Sequence, residues 1–129
     1  MKFKILLPVF VLFLSSFVTL EAQNKVEVNS KQVSQMLLKS KKLIVLDVRT
    51  ADEFNAGHIK GALNIDVRQT DAFSKIDKLN HNGKYIVYCR TNHRSGMAVE
   101  HMMQSGFKKV YQMMDGFPGW AANNFAYEK

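Results

Sequence analysis

The sequence contains a single cysteine, Cys89, among its 129 residues. An internal disulfide is therefore impossible, which excludes the disulfide frameworks that stabilise many small exported proteins. A lone thiol is a partner for another molecule, a free reactive group, or an inert residue of the core. Internal repeats, low-complexity tracts and linkers are also absent, and the length suits one compact domain.

Metal and nucleic-acid sites are not indicated by the sequence. His81 and His101 have no partners at metal-ligand spacing, and the lysines are scattered rather than gathered in a block. We therefore expect no metal, no cofactor and no nucleic-acid partner. The net formal charge of +7 favours anionic small molecules or acidic partners.

The N-terminal segment has the pattern of a secretory signal peptide. Lys2 and Lys4 precede an apolar run, and small and polar residues follow it up to Ala22. We predict cleavage after Ala22, so that residues 1–22 are removed and residues 23–129 form the mature domain. A membrane anchor is the alternative, but the 16 residues from Ile5 to Leu20 fall short of the ~20 that a spanning helix needs. The mature protein is then exported, to the periplasm or the medium, without stable membrane association.

Apolar runs alternate with helical patterns along the rest of the chain. Runs rich in β-branched residues predict buried strands at 43–46, 62–65, 85–88 and 109–112. Helical spacing predicts helices at 30–38, 51–56, 71–79 and 95–105, the last ending at Gly106 in a left-handed cap. This alternation predicts an α/β fold with a central parallel sheet and helices on both faces.

Cys89 lies where a predicted strand ends and a helix follows. Ligands of parallel sheets bind beyond the carboxyl ends of the strands, and helix N-termini offer unpaired N–H groups. Arg90 and Arg94 add two positive charges near the thiol. Such surroundings favour the reactive thiolate form of a cysteine. We therefore predict a reactive Cys89, with a buried inert cysteine as the alternative.

Three segments together resemble a single-domain rhodanese. The first runs from Asp47-Val48-Arg49 through Glu53-Phe54 and Gly57-His58-Ile59 to Asn64-Ile65, the second is the Cys89 loop, and the third runs from Gly106-Phe107 to Trp120. The loop has the C-x4-R spacing of rhodanese-like sulfurtransferases, since four residues separate Cys89 from Arg94. Related phosphatases and arsenate reductases use one residue more, so the spacing disfavours them.

The resemblance implies a sulfurtransferase that works through a persulfide on Cys89. The donor would be a small anion such as thiosulfate, and the acceptor cyanide, a thiol or a protein. Arg90 and Arg94 would hold the donor, and Arg94 would also organise the loop. The other substrate-binding candidates are the remaining loop residues: Thr91, Asn92, His93 and Ser95. A second hypothesis is a sulfur-relay or binding module with little turnover; a monomer is the default in both.

Several other residues receive structural predictions. Asn92 stands where many relatives have glycine, and we expect it to take a left-handed conformation. Ser95 is a candidate cap for the following helix. Asp47, Arg49 and Glu53 are expected to form an ion-pair network, and His58 to orient the turn between Gly57 and Gly61. Trp120 is expected in the core, whereas Asp115, where relatives often have glycine, receives no physical account from the sequence.

Overall fold

The computed structural model of this chain describes Lys2 and residues 24–129. Apart from Lys2, the predicted signal peptide lies outside the described residues, so its cleavage stays a prediction. Within the described part of the chain, none of the helices has the length and apolar character needed to cross a bilayer.

Residues 24–129 form seven strands and five helices. The strands are β1 (Asn24–Val28), β2 (Leu43–Asp47), β3 (His58–Ile59), β4 (Leu63–Asn64), β5 (Lys84–Tyr88), β6 (Lys109–Met113) and β7 (Tyr127–Glu128). The helices are α1 (Ser30–Lys39), α2 (Ala51–Ala56), α3 (Ala72–Asp77), α4 (His93–Gln104) and α5 (Gly116–Ala122). Five strands form one sheet in the order β1-β6-β5-β2-β4, and each of its pairings is parallel. The predicted α/β class and central parallel sheet are confirmed.

Side chains of the central strand β5 alternate between two hydrophobic clusters. Tyr85 and Val87 belong to the cluster that contains residues of α3 and α4, whereas Ile86 and Tyr88 belong to the cluster that contains Val33 of α1 and Trp120 of α5. A strand buried on both faces needs apolar residues at every position, which explains its continuous apolar run. Helices therefore cover both faces of the sheet, and Trp120 lies in the core as predicted, 5% exposed.

Local capping signals fix several helix ends. Asn29 and Gln32 form a capping box at the start of α1, and Thr50 and Glu53 form another at the start of α2. After α4, Gly106 has a φ of 88°, as the predicted left-handed cap requires.

Two helices begin earlier than the sequence predicts. Helix α4 begins at His93 rather than Ser95, so Ser95 lies inside its first turn and is not its cap. Helix α5 begins at Gly116, inside the Gly/Pro-rich stretch 114–120, whose composition predicts a loop before a last short helix. The antiparallel pair of β3 and β7 was not predicted at all, because strands of two residues each leave no periodic signal.

The structure supplies a physical role for Asp115. Its carboxylate accepts hydrogen bonds from the backbone N–H of Ser30 at 2.9 Å and from the Ser30 hydroxyl at 2.6 Å. Ser30 is fully buried at the start of α1, and Asp115 precedes α5. These bonds therefore connect the start of α1 to the start of α5, although the two helices are far apart in the sequence.

Candidate active site

Cys89 directly follows β5 at the carboxyl edge of the parallel sheet, where the sequence places it. The residue is only 1% exposed and belongs to the hydrophobic cluster on the α4 face. Its Sγ nevertheless accepts a hydrogen bond from the backbone N–H of Ser95 at 3.3 Å, and the Ser95 Oγ lies 3.5 Å away. Burial alone would suit an inert cysteine, but a main-chain donor aimed at the sulfur is what an anionic sulfur requires.

The loop above the thiol has unpaired backbone donors. Among the described residues, none accepts a hydrogen bond from the backbone N–H groups of residues 90–94, which lie between Cys89 and the first paired donor. The first N–H groups of any helix lack intrahelical partners, and α4 begins within this segment. An anion placed at the loop would therefore meet donors that no protein acceptor occupies.

Asn92 does not adopt the predicted left-handed conformation. Its φ is −144° and its ψ is −3°, and it occupies the N-cap position of α4 without a side-chain capping bond. The early start of α4 is the reason, because the chain passes directly from the loop into the helix without a left-handed turn. The position therefore imposes no steric requirement for glycine.

Arg94 forms a two-point ion pair with Glu53 of α2. Its Nη1 lies 2.7 Å from Glu53 Oε1, and its Nη2 lies 3.0 Å from Oε2. The hydrogen bonds from Arg94 lower the pKa of Glu53 to about 2, and those same bonds raise the pKa of Arg94. The predicted role of Arg94 in organising the loop agrees with this geometry. Binding of a donor by Arg94 stays a prediction, since the pair already engages both terminal nitrogens.

The predicted ion-pair network of Asp47, Arg49 and Glu53 is wrong for Glu53. Arg49 Nη2 donates to Asp47 Oδ2 at 2.7 Å and to the Gly57 carbonyl at 2.6 Å, whereas Glu53 pairs with Arg94 instead. Burial opposes the charge on Arg49, but hydrogen bonds and attraction from Asp47 outweigh it and raise the Arg49 pKa. The buried pair thus holds the end of β2 against the start of β3.

Arg90 is the exposed cation beside the thiol. Within residues 24–129 it forms no ion pair, unlike Arg94 and Arg49. It lines a cavity of about 290 Å³ together with residues of α2, of the segments that flank α2, and of α5: Arg49, Glu53, Ala56, Gly57, Phe117 and Pro118. Of the two predicted donor-binding arginines, Arg90 therefore has the guanidinium that is free to meet a ligand.

The other predicted site residues occupy two different environments. Thr91, Asn92 and His93 are exposed, and Asn92 and His93 line a groove of about 610 Å³ along α4. Ser95 is fully buried and faces Cys89. The structure thus brings Ser95 to the sulfur, whereas the side chains of the other three belong to the outer surface.

His58 contacts the turn that it was expected to orient. Its Nδ1 lies 2.8 Å from the Phe54 carbonyl, and its Nε2 lies 3.3 Å from Glu128 Oε1. That oxygen also accepts the Gly61 N–H at 3.0 Å. The described residues contain no cluster of three or more His, Cys, Asp or Glu side chains arranged to hold a metal ion.

Gln112 is a site contact that the sequence analysis missed. It is 2% exposed, and its carboxamide nitrogen donates to the Ser95 Oγ at 3.0 Å. The available signal was a polar residue within a strand predicted to be buried on both faces.

Helix α5 approaches the Cys89 loop so closely that Gly116 is required. Gly116 has a φ of 61°, and a Cβ atom there would lie 2.2 Å from the Arg90 carbonyl oxygen. The backbone N–H of Phe117 donates to the Cys89 carbonyl at 2.9 Å. The start of α5 therefore fixes the backbone of Cys89 and Arg90 from the other side of the loop.

Comparison with known proteins agrees with this geometry. The family model described as "Rhodanese-like domain" matches residues 29–123. "Thiosulfate sulfurtransferase GlpE" of Coxiella burnetii is 30% identical over 98 residues, which cover 73% of this chain and 90% of that protein. "Putative sulfur carrier protein YrkF" of Bacillus subtilis is 30% identical over 94 residues, which cover 73% of this chain and 50% of that protein.

Solved structures share the fold. The crystal structure of a rhodanese-related protein from Thermoplasma volcanium has a TM-score of 0.71 and 26% identity, and the match covers 80% of this chain and 97% of that one. A rhodanese-like domain protein from Staphylococcus aureus has a TM-score of 0.66 and 25% identity, with coverage of 74% and 90%.

Gly116 and Gly61 provide a matched pair for testing the approach of α5 to the loop. Both have positive φ, but a Cβ at Gly61 would have nothing within 4 Å. We expect Gly61→Ala to lower the free energy of unfolding by about 1 kcal/mol, from backbone strain alone. Gly116→Ala should cost several-fold more and slow the reaction of Cys89 with a small alkylating agent. Equal stability losses in chemical denaturation, with unchanged alkylation, would contradict the proposed constraint.

Glu53 should make stability depend on pH in the acid range. Because its pKa is about 2 in the folded protein, below the usual 4.5, its contribution is present above pH 4.5 and is lost as the pH falls toward 2. We expect Glu53→Gln to lower the free energy of unfolding at pH 7 by about 1–2 kcal/mol and to flatten its acid dependence. Urea denaturation at several pH values measures both.

Asp52→Asn is the control for that measurement, because Asp52 is an exposed neighbour on α2 that forms no ion pair within the described residues. The free energy of unfolding of Asp52→Asn should depend on pH in the acid range as that of the wild type does. A stability difference between wild type and Glu53→Gln that stays constant from pH 7 to pH 2 would show that the ion pair does not act through the charge of Glu53.

Proposed function

Because the chain belongs to the rhodanese-like domain family, we propose that it is a sulfurtransferase of the thiosulfate type. It would move a sulfane sulfur from an anionic donor such as thiosulfate to cyanide or a thiol, through a persulfide on Cys89. The observation that supports this most is the N–H of Ser95 directed at the sulfur of the chain's one thiol. Within residues 24–129, the loop N–H groups have no acceptor and Arg90 forms no ion pair.

The proposed reaction has two steps that each conserve charge. The Cys89 thiolate attacks the outer sulfur of thiosulfate, the S–S bond of the donor breaks, and sulfite leaves with the bonding electron pair. Cys89 then holds a persulfide anion. Cyanide or a thiolate attacks the terminal sulfur, which departs as thiocyanate or a new persulfide and restores the Cys89 thiolate.

Negative charge stays on sulfur throughout this sequence, and the site fits that requirement. Preorganised N–H donors contribute most where charge develops in a site shielded from water. Ser95 N–H contacts the sulfur directly, and Arg90, which follows Cys89 in the chain and lines the neighbouring cavity, would attract the sulfonate end of the donor. No carboxylate base is needed, and the nearby Glu53 is engaged by Arg94.

A sulfur relay is the second candidate. The similarity to a protein named as a sulfur carrier favours it, as does the 1% exposure of Cys89, which restricts access to the persulfide. In that case a partner protein would be the acceptor, and cyanide would discharge the persulfide slowly.

We also propose that the protein is exported and that residues 1–22 are removed. The basic, apolar and small-residue pattern of that segment supports this proposal. The mature chain would act as a monomer without stable membrane association. In an oxidising compartment, the lone thiol would stay usable only if a reductant restored it or if it were held as a persulfide.

Intact-mass measurement tests the chemistry and the processing together. Exported protein should begin at Gln23 and gain one sulfur atom on incubation with thiosulfate, whereas Cys89→Ser should gain none. Cyanide should remove the added sulfur and yield thiocyanate. A persulfide that only a protein acceptor discharges would favour the relay, and no sulfur gain by the wild type would refute both.

Arg90→Ala tests the charge of the donor. We expect the KM for thiosulfate to rise about tenfold, equivalent to ~1.4 kcal/mol of lost attraction, with a smaller change for an uncharged organic sulfur donor. Arg68→Ala, which removes another exposed arginine without an ion pair in the described chain, is the matched control. Equal effects of Arg90→Ala on both donors would remove the electrostatic role.

A further inference from the structure

Gln112 is a polar residue in an otherwise apolar position. It lies on β6, pairs in register with Val87 of β5, and is 2% exposed. Its side chain shares a face of the sheet with Val110, toward α4. Burying a carboxamide costs free energy unless its hydrogen bonds are made, so its partners indicate its role.

The carboxamide nitrogen of Gln112 has two partners, both at the N-terminal end of α4. It donates to the Asn92 carbonyl at 2.9 Å and to the Ser95 Oγ at 3.0 Å. A carbonyl oxygen only accepts, so the NH₂ group of Gln112 must face Asn92 and Ser95. Both N–H bonds of the carboxamide are thereby used.

These two bonds limit where the Ser95 hydroxyl hydrogen can point. The Asn92 carbonyl also accepts the N–H of Gly96 at 2.9 Å, so two N–H donors already occupy its two lone pairs. The Ser95 hydroxyl donates to the same carbonyl at 3.3 Å, the longest of the three bonds to that oxygen, and its Oγ accepts a hydrogen bond from the Cys89 thiol at 3.5 Å. Once Cys89 is a thiolate, its sulfur is the acceptor that remains open to the hydroxyl.

We propose that Gln112 is a positioning residue that directs the Ser95 hydroxyl at Cys89. By occupying the Asn92 carbonyl and one lone pair of Ser95, it leaves the Ser95 proton for the anionic sulfur. The hydroxyl and the N–H of Ser95 then donate together to the thiolate and to the inner sulfur of the persulfide. This inference rests on the proposed function but concerns the sulfur anion itself.

The charged groups around the sulfur do not depend on Gln112. Arg94 is held by Glu53, with Asp66 also acting on it, and Arg49 is held by Asp47. Arg90 and His93 are exposed on the loop. Replacing Gln112 therefore changes the hydrogen bonding of Ser95 without removing a charge.

The test is the pH profile of Cys89 alkylation by iodoacetamide in Gln112→Met, a variant of similar shape without hydrogen-bonding groups. A hydrogen bond to an anion is lost, so the rate at pH 7 should fall about tenfold. The midpoint of the profile should move to higher pH, and the rates should converge in alkali. A purely structural loss would lower the rate at every pH without moving the midpoint, and that result would overturn the proposal.

A double-mutant cycle with Ser95→Ala shows whether Gln112 acts through the hydroxyl. Ser95→Ala should move the midpoint by itself, and adding Gln112→Met should change the pH 7 rate less than twofold. Two independent shifts that add would refute the mechanism. Tyr85→Phe is the control, because it removes a partly buried hydrogen bond from a side chain of β5 to the Asn80 carbonyl and should leave the profile unchanged.

Gln112→Glu keeps the experiment decisive if Gln112→Met does not fold. The new carboxylate would accept the Ser95 hydroxyl hydrogen and would also repel the thiolate, so the midpoint should rise more in the wild-type background than in Ser95→Ala. Equal rises, or an unchanged midpoint, would overturn the proposal. Alkylation requires no sulfur donor. If the Gln112 variants shift the midpoint as expected but the wild type gains no sulfur from thiosulfate, the proposed function is refuted and the role of Gln112 is not.

Discussion

The geometry of the site depends on one constraint: the chain must turn from β5 directly into α4 while keeping the Cys89 sulfur buried. The turn succeeds because Ser95, six residues after Cys89, returns its backbone N–H to that sulfur. The polar contact offsets the cost of burying the sulfur in an apolar cluster whenever the sulfur is charged. The same turn leaves the intervening N–H groups without acceptors in the part of the chain that the structure describes.

Three contacts from different elements hold this turn in place. Glu53 of α2 fixes Arg94, Gly116 lets α5 approach the Arg90 carbonyl, and Gln112 of β6 binds the first turn of α4. Each acts on a different part of the loop, so its backbone is fixed from several directions. Such over-determination allows a short loop to keep unpaired donors in a defined arrangement.

The fold could be predicted from the sequence because its signals are local. Continuous apolar runs mark strands buried on both faces, and Gly106 marks the end of α4. Contacts between distant residues were not predictable in this way. Glu53 was assigned to the Asp47 network because it is near in sequence, whereas its partner Arg94 lies 41 positions away. The left-handed prediction for Asn92 failed because α4 begins at His93, and a helix start cannot be located to within two residues from sequence.

Burial of Cys89 and the direction of its donors have opposite chemical consequences, and the balance between them decides what the site can do. Desolvation disfavours a sulfur anion, whereas the Ser95 N–H, its hydroxyl and the neighbouring guanidinium groups favour one. A water-exposed thiol would need fewer donors but would lose its persulfide more readily to water-borne nucleophiles and oxidants. In the proposed reaction, a buried sulfur with directed donors would exchange sulfur only with groups small enough, or shaped, to enter the loop. Access to the proposed persulfide would then decide between a small acceptor and a selective protein acceptor.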